Sequence, residues 1–299
     1  MKSPRKIALW SLVVIVLLAV VGGVFALNIK RSQANHPRIV ATTFAIVQIA
    51  DKLNLDLAGV PTTQNKMPAR YKNTPRVGSP MSPSYEKISQ LHPTAVYSVD
   101  ILSDQFGKAF KAQNIKPHFL KLNNVAELQS VVTQFGKTYN RQKQAQAANN
   151  QINQTKAQIQ KIARKHHRKP RVLVLMGLPG AGYMIATNLS YVGDLVRLAG
   201  GNNVYTSSSQ VYMEPNDESI KAKQPQVILR LAHALPGMVI PQFNQEFKSD
   251  PMWKTIPAVK NHRVYNLTEP NFDATANMKV STALKIVSNW LYPTNGGNQ

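Results

Sequence analysis

The sequence predicts an α/β protein in which two α/β lobes, each with a central, mostly parallel sheet, are joined by one long interlobe helix. Three observations carry this. Short apolar runs alternate with stretches of helical apolar spacing, first before and again after the middle of the chain. The middle itself, NRQKQAQAANNQINQTKAQIQKIA over 140–163, is rich in Ala, Gln and Lys and free of proline. The length, 299 residues, exceeds one domain of about 100 to 200 residues and falls short of three.

The elements follow in order. Ile39-Val40-Ala41 reads as a strand, Thr42-Thr43 as a cap, and Phe44 to Leu53 as a helix. Leu55 to Val60 reads as a second strand, followed by a turn-rich loop through Pro80. A helix over 84–90, a strand over Ala95–Val99, a helix over 104–113 and a strand over 118–122 complete the first half. The long helix is expected to be mostly solvated, with Ile152, Ile159 and Ile162 as its thin apolar seam. Pro170 ends that region, and alternation resumes with the strand RVLVLM (171–176), helices over 191–199 and 218–223, and the strand 227–231. The strand 264–267 and an amphipathic helix over 278–291 follow. The expected organisation is therefore an N-terminal segment 1–37, an N-terminal lobe 38–138, an interlobe helix 139–168, a C-terminal lobe 169–292 and a tail 293–299.

The N-terminus carries a targeting signal. After Lys2, Arg5 and Lys6 come twenty-one uncharged residues, Ile7 to Leu27. About 20 apolar residues span a bilayer as a helix, whereas a secretory h-region has about 7 to 15. The expectation is an uncleaved transmembrane signal anchor with the body outside the cell. The alternative is cleavage after Val24-Phe25-Ala26.

Lys and Arg number 36 against 14 Asp and Glu, a net charge of +22. The first 37 residues hold five of the basic ones, so the body has 31 against 14, or +17. No zinc knuckle, helix-turn-helix signature or stacked-aromatic motif accompanies this charge, and export argues against nucleic acid as a partner. The absence of cysteine excludes disulfides, thiolate catalysis, Cys-based metal sites and a lipid-modified Cys.

Catalytic signatures are missing: there is no G-x-S-x-G elbow, no H-E-x-x-H and no evident nucleophile, base and orienting acid, so the protein is not expected to be an enzyme. The run Gly177-Leu178-Pro179-Gly180-Ala181-Gly182 lacks the Lys-Ser/Thr of a phosphate loop and reads as a tight turn. Of the seven histidines, His166 and His167 sit in a solvated basic run, and His36, His92, His118 and His262 lie beside turns. His233 follows the strand VILRLA directly, and ligands of open α/β sheets bind outside the carboxyl ends of strands. Met81, in Gly78-Ser79-Pro80-Met81-Ser82-Pro83, is held between two prolines that stiffen its loop. Taken singly, each residue also suits a core position.

Five segments carry a resemblance: IVATTFAIVQIADKLNLDLAGVPT, MPARYKNTPRVGSPMSPSYEKISQLHPTAVYSV, FGKTYNRQK, VLVLMGLPGAGYMIATNLSYVGDLVRLAGGNNVY and QVILRLAHALPGMV. Over about residues 38–292 the chain resembles the haem-binding substrate-binding proteins of the iron-regulated surface determinant haem importers, of the class III periplasmic-binding-protein fold. The resemblance implies a haem b clamped between the lobes, with Met81 and His233 as axial ligands, and further contacts at Phe44, Ala45, Thr63 and Gln64. It implies docking on an ABC permease, and its ATPase, through Glu86 and Glu218, with surface haem-donor proteins upstream. It also implies one departure: those relatives are anchored by an acylated Cys, and here Ile7–Leu27 would be the anchor. The competing ligand class on the same fold is an iron–siderophore or cobalamin.

Overall fold

The computed structural model of the protein describes residues 37–232 and 235–293. The expected anchor Ile7–Leu27, His233 and residues 294–299 lie outside the described residues. From Ile39 the chain forms one compact unit that carries two separate sheets.

The first sheet is built from β1 (Ile39–Ala41), β4 (Ala95–Val99) and β5 (Pro117–Leu120), in the order β1-β4-β5 and parallel throughout. Its strands are short and β-branched residues dominate the centre. Ile39, Val40, Val96 and Val99 are buried on both faces, as a helix-covered parallel sheet requires. A hairpin, β2 (Gly78–Ser79) with β3 (Ser82–Pro83), projects beside it. The helices are α1 (Phe44–Lys52), α2 (Tyr85–Gln90), α3 (Ser103–Ala112) and α4 (Val125–Thr138).

The expected strand at Leu55–Val60 does not form. Gly59 and Val60 make only single bridges, to Val40 and Arg76. The burial of Leu55 and Leu57 around the exposed Asp56, which pairs with Arg70 at 2.9 Å, imitates strand alternation. The segment is a core-facing loop, held at Leu55 O by the Tyr71 hydroxyl (2.5 Å).

The long helix, α5 (Gln142–Arg164), is 23 residues long. It is mostly solvated, as expected, with Ala145, Ala148, Ile152, Thr155 and Ile159 buried. Their alternating spacing of three and four places them on one stripe, while Ile162, expected in the seam, is exposed. The stripe packs against α4 on one side and α11 (Val280–Leu291) on the other. α4 was not expected as a separate element. Gly136 marks its closest approach, since a Cβ there would meet the Ala145 Cβ at 2.6 Å.

The second sheet runs β11 (Val264–Leu267), β10 (Val227–Leu231), β6 (Arg171–Gly177), β7 (Tyr183–Ala186) and β9 (Tyr212–Met213), with β8 (Asn202–Asn203) beside the start of β6. Its core pairs are parallel, and β7 joins β6 and β9 antiparallel. Helices α6 (Tyr191–Leu198), α7 (Asp217–Lys223), α8 (Pro236–Ser249), α9 (Pro251–Thr255) and α10 (Pro257–Lys260) surround it. The helices over 236–260 and the strands β7 and β9 were not foreseen, because prolines and half-buried polar residues obscure their periodicity. Leu173, Val174, Leu175, Ile228 and Leu229 are fully buried at its centre. Among the described residues no helix is long and apolar enough to cross a membrane.

Candidate ligand site

Met81 sits at the tip of the two-residue turn between β2 and β3, where Ser79 pairs with Ser82. Gly78 makes this turn possible: its φ is +93°, and a Cβ there would meet Ser82 O at 2.4 Å. The hairpin is laced to its surroundings by Thr62 N–H donating to Gly78 O (2.8 Å), Val77 N–H to Val60 O (3.0 Å) and Ser84 N–H to Val77 O (2.7 Å). The loop bearing Thr63 and Gln64 is thereby held beside the loop bearing Met81. The thioether side chain is 56% exposed, so Met81 is not the core gap-filler that Met usually is.

Phe44 and Ala45 open α1 directly after β1, with Phe44 half-buried and Ala45 buried. The N-cap Thr43 is extended, yet its side chain caps nothing. Its hydroxyl is buried with no hydrogen-bond partner in the described structure. The first-turn amides of α1 are therefore left uncapped, a standing donor site for an anion.

Beyond β4, Ile101 is 47% exposed in the short turn Asp100–Leu102. In the second sheet, Leu235 and Met238 are 49% and 51% exposed where β10 gives way to α8. His233 lies between the buried Ala232 and Leu235, outside the described residues. Met81, Ile101, Leu235 and Met238 are four of the five exposed large apolar side chains among the described residues. Ile101 follows β4 in the short helical turn Asp100–Leu102, Leu235 and Met238 follow β10 at the start of α8, and Met81 is at the tip of the β2–β3 hairpin. Exposed large apolar side chains are candidates for a binding surface, and strand ends are where open α/β sheets bind ligands. The loops of the two sheets meet directly, since Asn65 Nδ2 donates to the carboxylate of Glu269, just beyond β11.

The segment after His233 is anchored from below. Arg230 of β10 is buried, donates to Asn266 Oδ1 (3.0 Å) and Asn244 Oδ1 (2.9 Å), and lies over the rings of Phe243 and Phe247. Burial pushes its guanidinium down to about 10, still charged at neutral pH. The strand that precedes His233 in the chain and the helix that follows it are thus clamped to one another. Sequence reading missed Arg230 because a charged residue in an apolar strand gives no sign of its partners.

The Gly-rich run 177–182 is the β6–β7 turn, closed by Leu178 N–H to Gly182 O (2.8 Å). It leads into a strand and not a helix, so it cannot cradle phosphate as a phosphate loop does. Glu86 and Glu218 are both exposed, each the second residue of a capped helix. Ser84 Oγ accepts from Lys87 N–H and Asn216 Oδ1 from Ser219 N–H. Two surface cavities lie away from these loops, one of about 720 Å³ between α4 and α5 and one of about 360 Å³ at the end of α5. Among the described residues no group of three His, Asp or Glu is placed to hold a bare metal ion.

Two helix-covered sheets bridged by a long helix, with exposed apolar side chains and an uncapped helix start following the carboxyl ends of strands, have the architecture of a binding protein. The chain belongs to the periplasmic binding protein family, whose profile matches residues 39–270. It is 39% identical over 255 residues to the "High-affinity heme uptake system protein IsdE" of Staphylococcus aureus, covering 85% of this chain and 87% of that one. It superposes with a TM-score of 0.82 and 40% identity on the crystal structure of S. aureus IsdE complexed with heme, covering 85% and 98% of the two chains. It superposes with a TM-score of 0.81 and 38% identity on an ABC transporter substrate-binding protein from Listeria monocytogenes EGD-e, covering 87% and 100%. These relatives are uptake and substrate-binding proteins, not enzymes.

Proposed function

We propose that the protein is an extracellular receptor that binds haem b between two lobes, 38–138 and 169–292, and delivers it to an ABC importer. The observation that carries this reading is the exposed thioether of Met81, presented at the tip of a hairpin, together with the exposed Leu235 and Met238 that follow His233 in the chain. The 39% identity to a heme uptake protein supports it.

In this reading Met81 and His233 ligate the iron from opposite faces. A thioether with a neutral imidazole is a strong-field pair that fills both axial positions and favours reduced iron, so the cargo is carried without reacting with oxygen. Ile101, Leu235 and Met238 cover the apolar porphyrin, with Phe44, Ala45, Thr63 and Gln64 at its edge. The propionates are received by the free amides of α1 and the unpartnered Thr43 hydroxyl. Glu86 and Glu218, each on the first turn of its helix, dock on the permease. The segment Ile7–Leu27 anchors the protein in the membrane, the role that an acylated Cys would otherwise fill. Haem reaches the site from surface donors.

The test is an absorption titration of the protein with haemin and, separately, with a ferric siderophore and cobalamin. A low-spin Soret and alpha/beta spectrum saturating at one haemin per chain is expected. Binding of the siderophore or cobalamin with no haemin spectrum would overturn the reading.

A further inference from the structure

The ligand proposed above leaves the positive charge of the body unused. From residue 128 to residue 193 there are ten Lys and Arg and not one Asp or Glu. Five of those cations, Lys161, Arg164, Lys165, Arg168 and Lys169, lie within nine residues at the end of α5, and all are exposed. No side-chain hydrogen bond or ion pair engages them among the described residues.

Helix dipoles account for part of this. α5 ends at Arg164 and α6 at Leu198, and the two ends touch, since a Cβ on Gly200 would meet the Ala163 Cβ at 2.4 Å. Each helix end carries about half a negative charge, so together they balance about one cation. The end of α11 is already served by Arg263, which donates to the carbonyls of Trp290 and Leu291 (2.6 and 3.0 Å). About four positive charges remain without a structural use.

The surface between them is concave. A cavity of about 360 Å³ is lined by Arg164, His166, His167, Lys169, Arg197 and Gly200, among others. A planar bilayer does not follow a concave surface, whereas a flexible chain does. Neither is there an open aromatic face for a nucleic-acid base. Tyr292 is 7% exposed, and its ring is covered by His166, stacked at 4.3 Å and 15°.

We propose that the end of α5 is a binding site for a flexible anionic phosphodiester polymer that carries no bases. Phosphates spaced along such a chain meet successive cations of Lys161 to Lys169, and the cavity seats one of them against Arg164, His167 and Lys169. This site is separate from the loops at the carboxyl ends of the strands and does not depend on which ligand they bind.

The experiment measures binding of the full chain to soluble poly(glycerol phosphate) across a salt series. The variant is Arg164→Gln/Arg168→Gln/Lys169→Gln, and a control triple removes equal charge elsewhere, Lys108→Gln/Lys111→Gln/Lys116→Gln. The site variant is expected to bind about tenfold more weakly at low salt, with its salt slope reduced by about two, at roughly 0.7 per cation for a single-stranded phosphodiester chain. The control triple is expected to keep the wild-type slope. On the unmodified protein, the polymer is expected to protect Lys161, Lys165 and Lys169 from amine acetylation. Equal losses in both triples, absence of that protection, or preferential binding to single-stranded DNA or to phosphatidylglycerol vesicles with the polymer inert would each overturn the proposal.

Discussion

The carboxylate of Asp194, on α6 beside the second sheet, accepts a 2.9 Å hydrogen bond from the main-chain N–H of Val125, the first residue of α4 beside the first sheet. The same carboxylate is bonded to Arg197. It is buried, and it supplies an acceptor to a helix N-terminus that Asn124 caps only at Glu127 N–H (2.9 Å). With Met278 N–H donating to Gln48 Oε1 (3.0 Å) and Ala276 N–H to Leu122 O (2.7 Å), it fastens the two halves at points away from the ligand loops.

Asp194→Ala is expected to cost about 1.5 to 3 kcal/mol, the range for a hydrogen bond to a charged group, measured by urea unfolding. Asp194→Asn keeps an acceptor oxygen and should lose less. A variant Asp194→Ala as stable as the wild type would show that the joint contributes nothing.

Met81→Ala separates ligation from folding. Because the side chain is 56% exposed, stability should change by no more than about 0.5 kcal/mol. The low-spin Soret and alpha/beta bands of the haem-loaded protein should nevertheless disappear, and an unchanged spectrum would remove Met81 from the ligand set.

Arg230 distinguishes a clamp from a simple filler. Arg230→Ala removes both Asn contacts and the ring contacts, and should cost about 2 to 5 kcal/mol, as large-to-small core changes do. Arg230→Met keeps the volume but removes both hydrogen bonds to Asn266 and Asn244, and should cost about 1.5 to 3 kcal/mol, whereas a Met variant as stable as the wild type would make Arg230 a filler. Thermal unfolding of the two variants side by side decides this: equal losses would mean that volume is not what Arg230 contributes.

Gly136→Val places a branched side chain where a Cβ would already sit 2.6 Å from the Ala145 Cβ. Forcing α4 and α5 apart should cost about 1 to 3 kcal/mol. Differential scanning calorimetry should register this as a lower Tm with haem binding retained.

Glu86→Ala and Glu218→Ala should leave haemin affinity unchanged and reduce haem-stimulated ATP hydrolysis by the reconstituted importer. Full stimulation by the double variant would leave these carboxylates as ordinary first-turn residues of capped helices.

The strands of both sheets were legible where burial on both faces makes a run continuously apolar, as in RVLVLM and VILRL. The reading failed where local pattern and partner disagreed. Leu55-Asp56-Leu57 alternates like a strand, but the segment touches the edge strand β1 only beyond it, at Ala58 and Gly59, and forms no ladder. Val125–Thr138 is a helix whose buried face is set by α5, which its own composition does not announce. At the candidate site, Met81 and its prolines stood out in sequence. Ile101, Leu235 and Met238 did not, because an isolated apolar residue in a loop looks the same whether it is covered or bare.

Residue order alone determined the α/β alternation, the long acid-free helix, the excess of basic charge and the motifs around Met81 and His233, since each rests on local propensity or a count. Tertiary structure decided which apolar residues stay exposed, that the Thr43 hydroxyl has no partner among the described residues, that Arg230 is a clamp, and that two of the five cations at the end of α5 line a cavity. Those properties depend on what other segments bring within a few ångströms, and solvent exclusion and hydrogen-bond satisfaction exist only once distant residues have met.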